Sequence, residues 1–279
     1  MVRRLIVPAV FCAFIIGTIA LLPPSRANSL NPLVQERAAA PTPTPAPVKV
    51  EKNSKNFTAE QIAESAIFIY GSRPVLQQIR RNGIERGRIT RVTNDGKTEE
   101  STYERVFVRG DSLETDKIRL DQKLPTLEYT LIFGEGRLWG LINGAAFTPR
   151  QDAASAFMSQ HHHSIEALLR YQENGATIKL FGKDKQKGLD LYVLDLTDKE
   201  QRSTRYYISV KTLHILWLEY SEGNIKFSKR FADYRYAQST LVPFRTLLFE
   251  DDRQTQETRI LTVTYGVKVD DALFKTPSA

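Results

Sequence analysis

Cysteine is almost absent: the only one in 279 residues is Cys12, inside an apolar N-terminal run. That excludes a disulfide framework, a thiol nucleophile or a thiolate metal site beyond that run. Phe11 stands before Cys12 where a lipoprotein signal places a small residue, so lipidation is not expected. A P-loop, a dinucleotide fingerprint and a G-x-S-x-G elbow are also missing, and Gly134-x-Gly136 falls in a hairpin rather than at a strand-to-helix turn. Charge of one sign is scarce. The formal charge is +7, but without Arg3, Arg4 and Arg26 the chain carries 36 basic against 32 acidic residues, or +4. With no clustered basic stripe, no nucleic-acid partner is expected.

What is present at the start is a secretory pattern. Arg3 and Arg4 form a positive n-region, Leu5 to Leu22 is largely apolar, and Ser25-Arg26-Ala27 offers small residues at a cleavage site. Residues 1–27 therefore read as a signal peptide. An uncleaved anchor is the alternative, because eighteen residues nearly span a bilayer. Residues 28–56, centred on AAAPTPTPAPVKV, read as a linker, since alternating Pro and small residues favour extended backbone and bury no core. The folded part is expected at 57–279.

That part opens with a helix. Thr58 is a candidate N-cap with Glu60 and Gln61 in the first turn, and Ile62, Ala66, Ile69 and Tyr70 recur at helical spacing. A second short helix is expected from Pro74, closed by Gly83. Strands are expected at Ile84–Val92, Thr102–Arg109 and Leu113–Leu120. A hairpin of Leu127–Phe133 and Arg137–Asn143 turns at Gly134-Glu135-Gly136. In it Tyr129, Leu131 and Phe133 share one face and Trp139 and Leu141 another, so cover on both sides is expected. Thr148 and Pro149 should start a helix running to about Gln172. Strands resume at Thr177–Gly182 and Leu189–Leu196.

From Arg205 onward the chain is a series of short β-type segments: RYYISV, LHILWLEY, NIKFSKRFADYRY, PFRTLLFE and TRILTVTYGVKV. Lys211-Thr212, Ser221-Glu222-Gly223 and Asp251 to Gln256 separate them, and connections this short favour antiparallel neighbours. Ile225, Phe227 and Phe231 alternate with Lys226, Ser228 and Arg230, giving one apolar face. The expected class is α+β and β-rich: a large curved antiparallel sheet of about 10–11 strands covered by two or three helices.

The end of this series, FADYR at Phe231–Arg235, VPFR at Val242–Arg245 and VKVDDALFKTP at Val267–Pro277, resembles the end of LolA-like outer-membrane lipoprotein carrier and sorting proteins. The resemblance implies an incomplete β-barrel closed by helices, a periplasmic location and acyl chains held inside. Those proteins hold their lid with a basic residue, and Arg86, Arg88, Arg105 and Arg109 are its candidates here.

Candidate chemistry is thin. His161, His162 and His163 are consecutive, so on a helix they point about 100° apart and cannot converge on one ion. His162 or His163 with Glu166 would supply two ligands where zinc takes three or four. No metal, no cofactor and no catalytic residue is expected, and the histidines read as structural or surface groups. Asp251-Asp252 and Asp270-Asp271 read as turn residues. Apolar surface remains. Phe107, Tyr129, Leu131, Phe133, Trp139, Leu141, Trp217, Phe227, Phe231 and Phe249 are either core or the lining of a cavity for acyl chains of a lipid or lipoprotein. The expected function is a non-catalytic periplasmic carrier or sensor that contacts the membrane transiently or through its N-terminal anchor. The competing expectation is an envelope scaffold with a protein partner.

Overall fold

The computed structural model describes residues 57–93 and 95–275. The expected signal (1–27), linker (28–56), Asn94 and Pro277 lie outside the described residues. Helix α1 (Ala59–Tyr70) begins as its sequence dictates. Thr58 Oγ1 accepts from Gln61 N at 3.2 Å and Gln61 Oε1 accepts from Thr58 N at 3.0 Å, a reciprocal capping box. Helix α2 (Arg73–Ile79) follows and ends at Arg80, not at Gly83. Gly83 belongs instead to strand β1 (Asn82–Val92), where a Cβ would meet the Phe107 ring and Thr264 O at 2.9 Å. Glycine is there for a close approach of neighbouring strands.

The remaining strands are β2 (Thr98–Val108), β3 (Lys117–Lys123), β4 (Glu128–Gly134), β5 (Arg137–Ile142) and β6 (Ala145–Phe147). After helices α3 (Gln151–His162) and α4 (Ile165–Leu169) come β7 (Thr177–Gln186), β8 (Leu189–Thr197), β9 (Ser203–Ser209), β10 (Ile215–Glu222), β11 (Ile225–Ala237), β12 (Thr240–Glu250) and β13 (Arg253–Tyr265). They form one antiparallel sheet in the order β6-β5-β4-β3-β2-β1-β13-β12-β11-β10-β9-β8-β7. Among the described residues thirteen strands replace the expected ten or eleven. The expected strand at Leu113–Leu120 begins only at Lys117, because Leu113–Thr115 is a 3₁₀ turn.

Turn chemistry sets the registers. Glu135 (φ 52°) and Gly136 (φ 70°) make the two-residue turn between β4 and β5. Asp251 (φ 45°) and Asp252 (φ 65°) do the same between β12 and β13, so the turn expected over 251–256 is two residues long and Arg253–Gln256 are strand. The expected helix over 148–172 is broken. Thr148 and Pro149 lie outside α3, whose N-cap is Arg150, and the chain re-caps at Ser164, whose Oγ accepts from Ala167 N at 3.4 Å.

The sheet is curled around α3. Phe157 lies 6.4 Å from the Phe133 ring on β4, while Gln160 O, one helical turn on, lies 2.7 Å from Lys229 Nζ on β11. In the strand order β4 and β11 are six neighbours apart, which in a flat sheet is about 29 Å. One turn of helix rises only about 5 Å. The two strands therefore face each other across a trough, and the C-terminal half of α3 sits in it.

On this inner face, α1 and α4 pack against β8, β9 and β10 through Ile62, Ile67, Tyr70, Leu168, Leu194 and Tyr206, all buried. Tyr70 Oη accepts from Ile215 N at 3.3 Å, and the Tyr234 hydroxyl donates to Ile215 O. That half is filled by its own side chains. A second cluster joins Phe107, Ile118, Phe133, Phe244 and Tyr265 to Phe157 and Met158 of α3. On the outer face Phe274, from the 3₁₀ turn Asp271–Phe274, covers Val106 and Ile132, with Trp139 and Leu141 packed alongside.

A trough, a plug and its clamp

Strand alternation divides the ten residues expected to line a cavity. Phe107, Tyr129, Leu131, Phe133, Phe227 and Phe231 share the inner face with the helices. Trp139, Leu141, Trp217 and Phe249 are on the outer face. Trp139 and Leu141 belong to the Phe274 cluster, Trp217 stacks on Tyr207 at 4.6 Å, and Phe249 lies 4.4 Å beneath the Arg230 guanidinium. These four cannot share one trough with the other six. The hairpin itself is covered on both sides, by α3 over Phe133 and Leu138 and by Phe274 over Ile132.

The plug is amphipathic in an unusual way. Its first residues, Gln151, Asp152, Ser155 and Ala156, are exposed. Its apolar contact is little more than Phe157 and Met158 on the inner face. What fixes its last turn is polar. Lys229, 7% exposed, reaches up from the floor of β11 and donates to Gln160 O and His163 O, both at 2.7 Å. Gln160 O is the acceptor that Ser164 N would use in a continuous helix, so this lysine takes over the end of α3 and explains the break. Burial pulls the Lys229 ammonium down to about 7. The inward lysine sits between Phe227 and Phe231, a position the apolar alternation of β11 disguised.

The three histidines divide as well. His161 Nε2 lies 2.9 Å from Leu113 O, and its ring is 5.8 Å from Phe133. His163 Nδ1 lies 2.6 Å from Thr204 Oγ1, and its ring stacks on Tyr220 at 3.9 Å. Burial holds both imidazoles near 3, with Lys229 adding to the effect at His163. They are neutral core groups rather than surface ones. His162 is half-buried, and burial lowers it too.

Glu166, the carboxylate within helical reach of those histidines, is taken by arginines. It pairs with Arg80 at 2.6 Å and with Arg109 from the end of β2, which also donates to Leu76 O at 3.5 Å. Burial alone would raise this carboxyl, but Arg109 and Arg80 outweigh it and hold it at about 2. Beside it Arg170 makes two 3.0 Å contacts with Asp116. Of the four arginines considered for holding a lid, Arg86 and Arg88 pair on the outer face with Glu104 and Glu100, and Arg105 lies 5.2 Å from the Phe107 ring. Only Arg109 among them reaches a helix. An open cleft of about 580 Å³ near His163 is lined by Arg205, Glu219, Tyr220, Lys226, Ser203 and Ser221.

Comparison with known proteins agrees with this architecture. No family model matches the chain, and no curated protein matches it in sequence. Among solved structures it is similar to a domain assigned to outer membrane lipoprotein sorting from Vibrio parahaemolyticus, with 12% identity and a TM-score of 0.52 over 76% of this chain and 97% of that one. It is similar to a DUF1329 family protein from Desulfovibrio piger, with 11% identity and a TM-score of 0.56 over 78% and 97%. At these identities the likeness concerns the backbone, and on it the chain has a LolA-like fold: one open, curled antiparallel sheet carrying helices on its inner face.

Proposed function

We propose that this chain is an exported, non-catalytic binding protein that holds acyl chains of a lipid or lipoprotein in the trough. Met1–Ala27 would direct it to the periplasm, and α3 would act as a displaceable plug. The observation that carries this reading is the plug itself: two apolar side chains on the inner face, an exposed N-terminal half, and polar contacts at the end that leaves. Each CH₂ that replaces Phe157 and Met158 on the inner face contributes about 0.8 kcal/mol, so one or two chains suffice to displace a plug this lightly packed.

The test is native mass spectrometry of the full chain isolated from an envelope preparation, followed by lipid extraction. A stoichiometric acylated species is expected. It should be lost in Leu131→Asp, and lipid-stripped protein should take up added lipid faster in Lys229→Met, which frees the end of α3. A ligand-free protein that takes up no added lipid, with or without Lys229→Met, sinks the proposal. A protein-interaction scaffold is the second reading, favoured by the half of the inner face that α1 and α4 fill completely. Under that reading Lys229→Met changes stability and leaves lipid uptake at zero.

A further inference from the structure

The trough is graded along its strands. Three register pairs between β3 and β4 face inward in succession: Ile118 with Phe133, Leu120 with Leu131, and Gln122 with Tyr129. Two rungs are apolar and the third is polar. Inward-facing rungs on one pair of strands repeat every two residues, about 6.8 Å, so the three span about 14 Å. That is the length of a medium acyl chain with a polar head at one end. The Phe147 ring walls the apolar stretch beside Leu131, since a Cβ on Gly140 would stand 2.4 Å from it.

Gln122 is the unusual member. It is 3% exposed, yet its Oε1 has no hydrogen-bond partner. Its inward neighbour on β2, Tyr103, is already committed, donating its hydroxyl to Glu85 at 2.6 Å. A buried carbonyl without a donor costs more than the bond it lacks, and native proteins rarely leave one. An orphaned acceptor at the end of an apolar run selects a ligand with an N–H or O–H at its head. A fatty acid anion or an ester brings only acceptors. A secondary amide brings both halves, its N–H to Oε1 and its C=O to the Gln122 amide hydrogens.

Resting on the reading of the trough as an acyl site, we infer that Gln122 anchors the head of the ligand and that the preferred class is an N-acyl amine, lying with its tail along Leu131 and Phe133.

The experiment measures displacement of a trough-bound fluorescent fatty acid from the full chain by N-methyldecanamide and by methyl decanoate. These ligands differ at the head only in N–H against O. The ratio of their dissociation constants is compared in wild type and in Gln122→Leu, with Gln122→Met, of nearly equal length, as a second variant. One neutral hydrogen bond predicts that the amide's advantage falls by roughly fivefold in both variants. Both should unfold at a temperature no lower than wild type, because the orphaned acceptor is gone. An unchanged ratio overturns the anchor while leaving the acyl site standing. Failure of the fluorescent acid and of both compounds to bind wild type overturns the acyl site itself.

Discussion

Lowering the pH from 7 to 5 should strip this protein of stability chiefly through two side chains. His161 and His163 are buried and held near 3, against about 6.5 for an unfolded histidine. Their folded values are depressed, so the unfolded chain binds protons first as the pH falls. Stability is therefore intact above about 6.5 and drains as the pH drops toward 3. Each histidine contributes about 1.9 kcal/mol to the difference between pH 7 and pH 5, and the pair about 4 kcal/mol. That is a large part of a typical domain stability of roughly 5–15 kcal/mol. Glu166 acts in the same direction only below about 4.5, its carboxyl being held at about 2, and so leaves the pH 5 measurement untouched. Urea denaturation at the two pH values, followed by tryptophan fluorescence, reads the difference. The double variant His161→Gln, His163→Gln should lose most of it while remaining folded at pH 7. Equal urea midpoints for wild type at pH 7 and pH 5 would refute the argument, because a neutral buried imidazole cannot be indifferent to protons that its unfolded form takes up.

Two further outcomes follow from the same packing. Glu166→Gln leaves Arg80 and Arg109 facing each other without their shared carboxylate, and should cost about 3–5 kcal/mol. A fall in thermal midpoint of less than one or two degrees would mean that the cluster is well solvated. Phe274→Ala should cost about 3 kcal/mol by opening the outer cluster, yet leave acyl uptake by the remaining folded protein unchanged. Loss of uptake in folded Phe274→Ala protein would place the binding face on the wrong side of the sheet.

Local rules made much of this legible in advance. The capping box at Thr58 and the turn at Glu135-Gly136 depend on neighbours in sequence, and both stand where their residues put them. The three-residue β6 was illegible because AAF carries too little period to register. Asp251 and Asp252 supply the left-handed backbone of a tight turn, a possibility hidden by the polar residues after them, which continue as strand. The break between α3 and α4 is set by Lys229, sixty-odd residues downstream, which no helical periodicity could reveal. The division of the aromatic residues had a different cause. Alternation says that Trp139 and Phe133 oppose each other, but which of them meets the helices depends on how the whole sheet curls.

The position of β13 has a consequence for how the chain assembles. It lies between β12, its neighbour in sequence, and β1, some 170 residues earlier. Until it arrives, β1 to β6 and β7 to β12 are two separate meanders, each built from local hairpins and each ending in a bare strand edge. The pairing of Gly83 with Tyr265 closes the longest loop in the sheet, and the entropy of that closure falls on the last strand synthesised. Joining is thus the late and slow event, and the β1 edge waits unpaired for nearly the whole of synthesis. A chain shortened before Arg253 would keep twelve of its strands, yet expose two sticky edges where the finished protein has a seam.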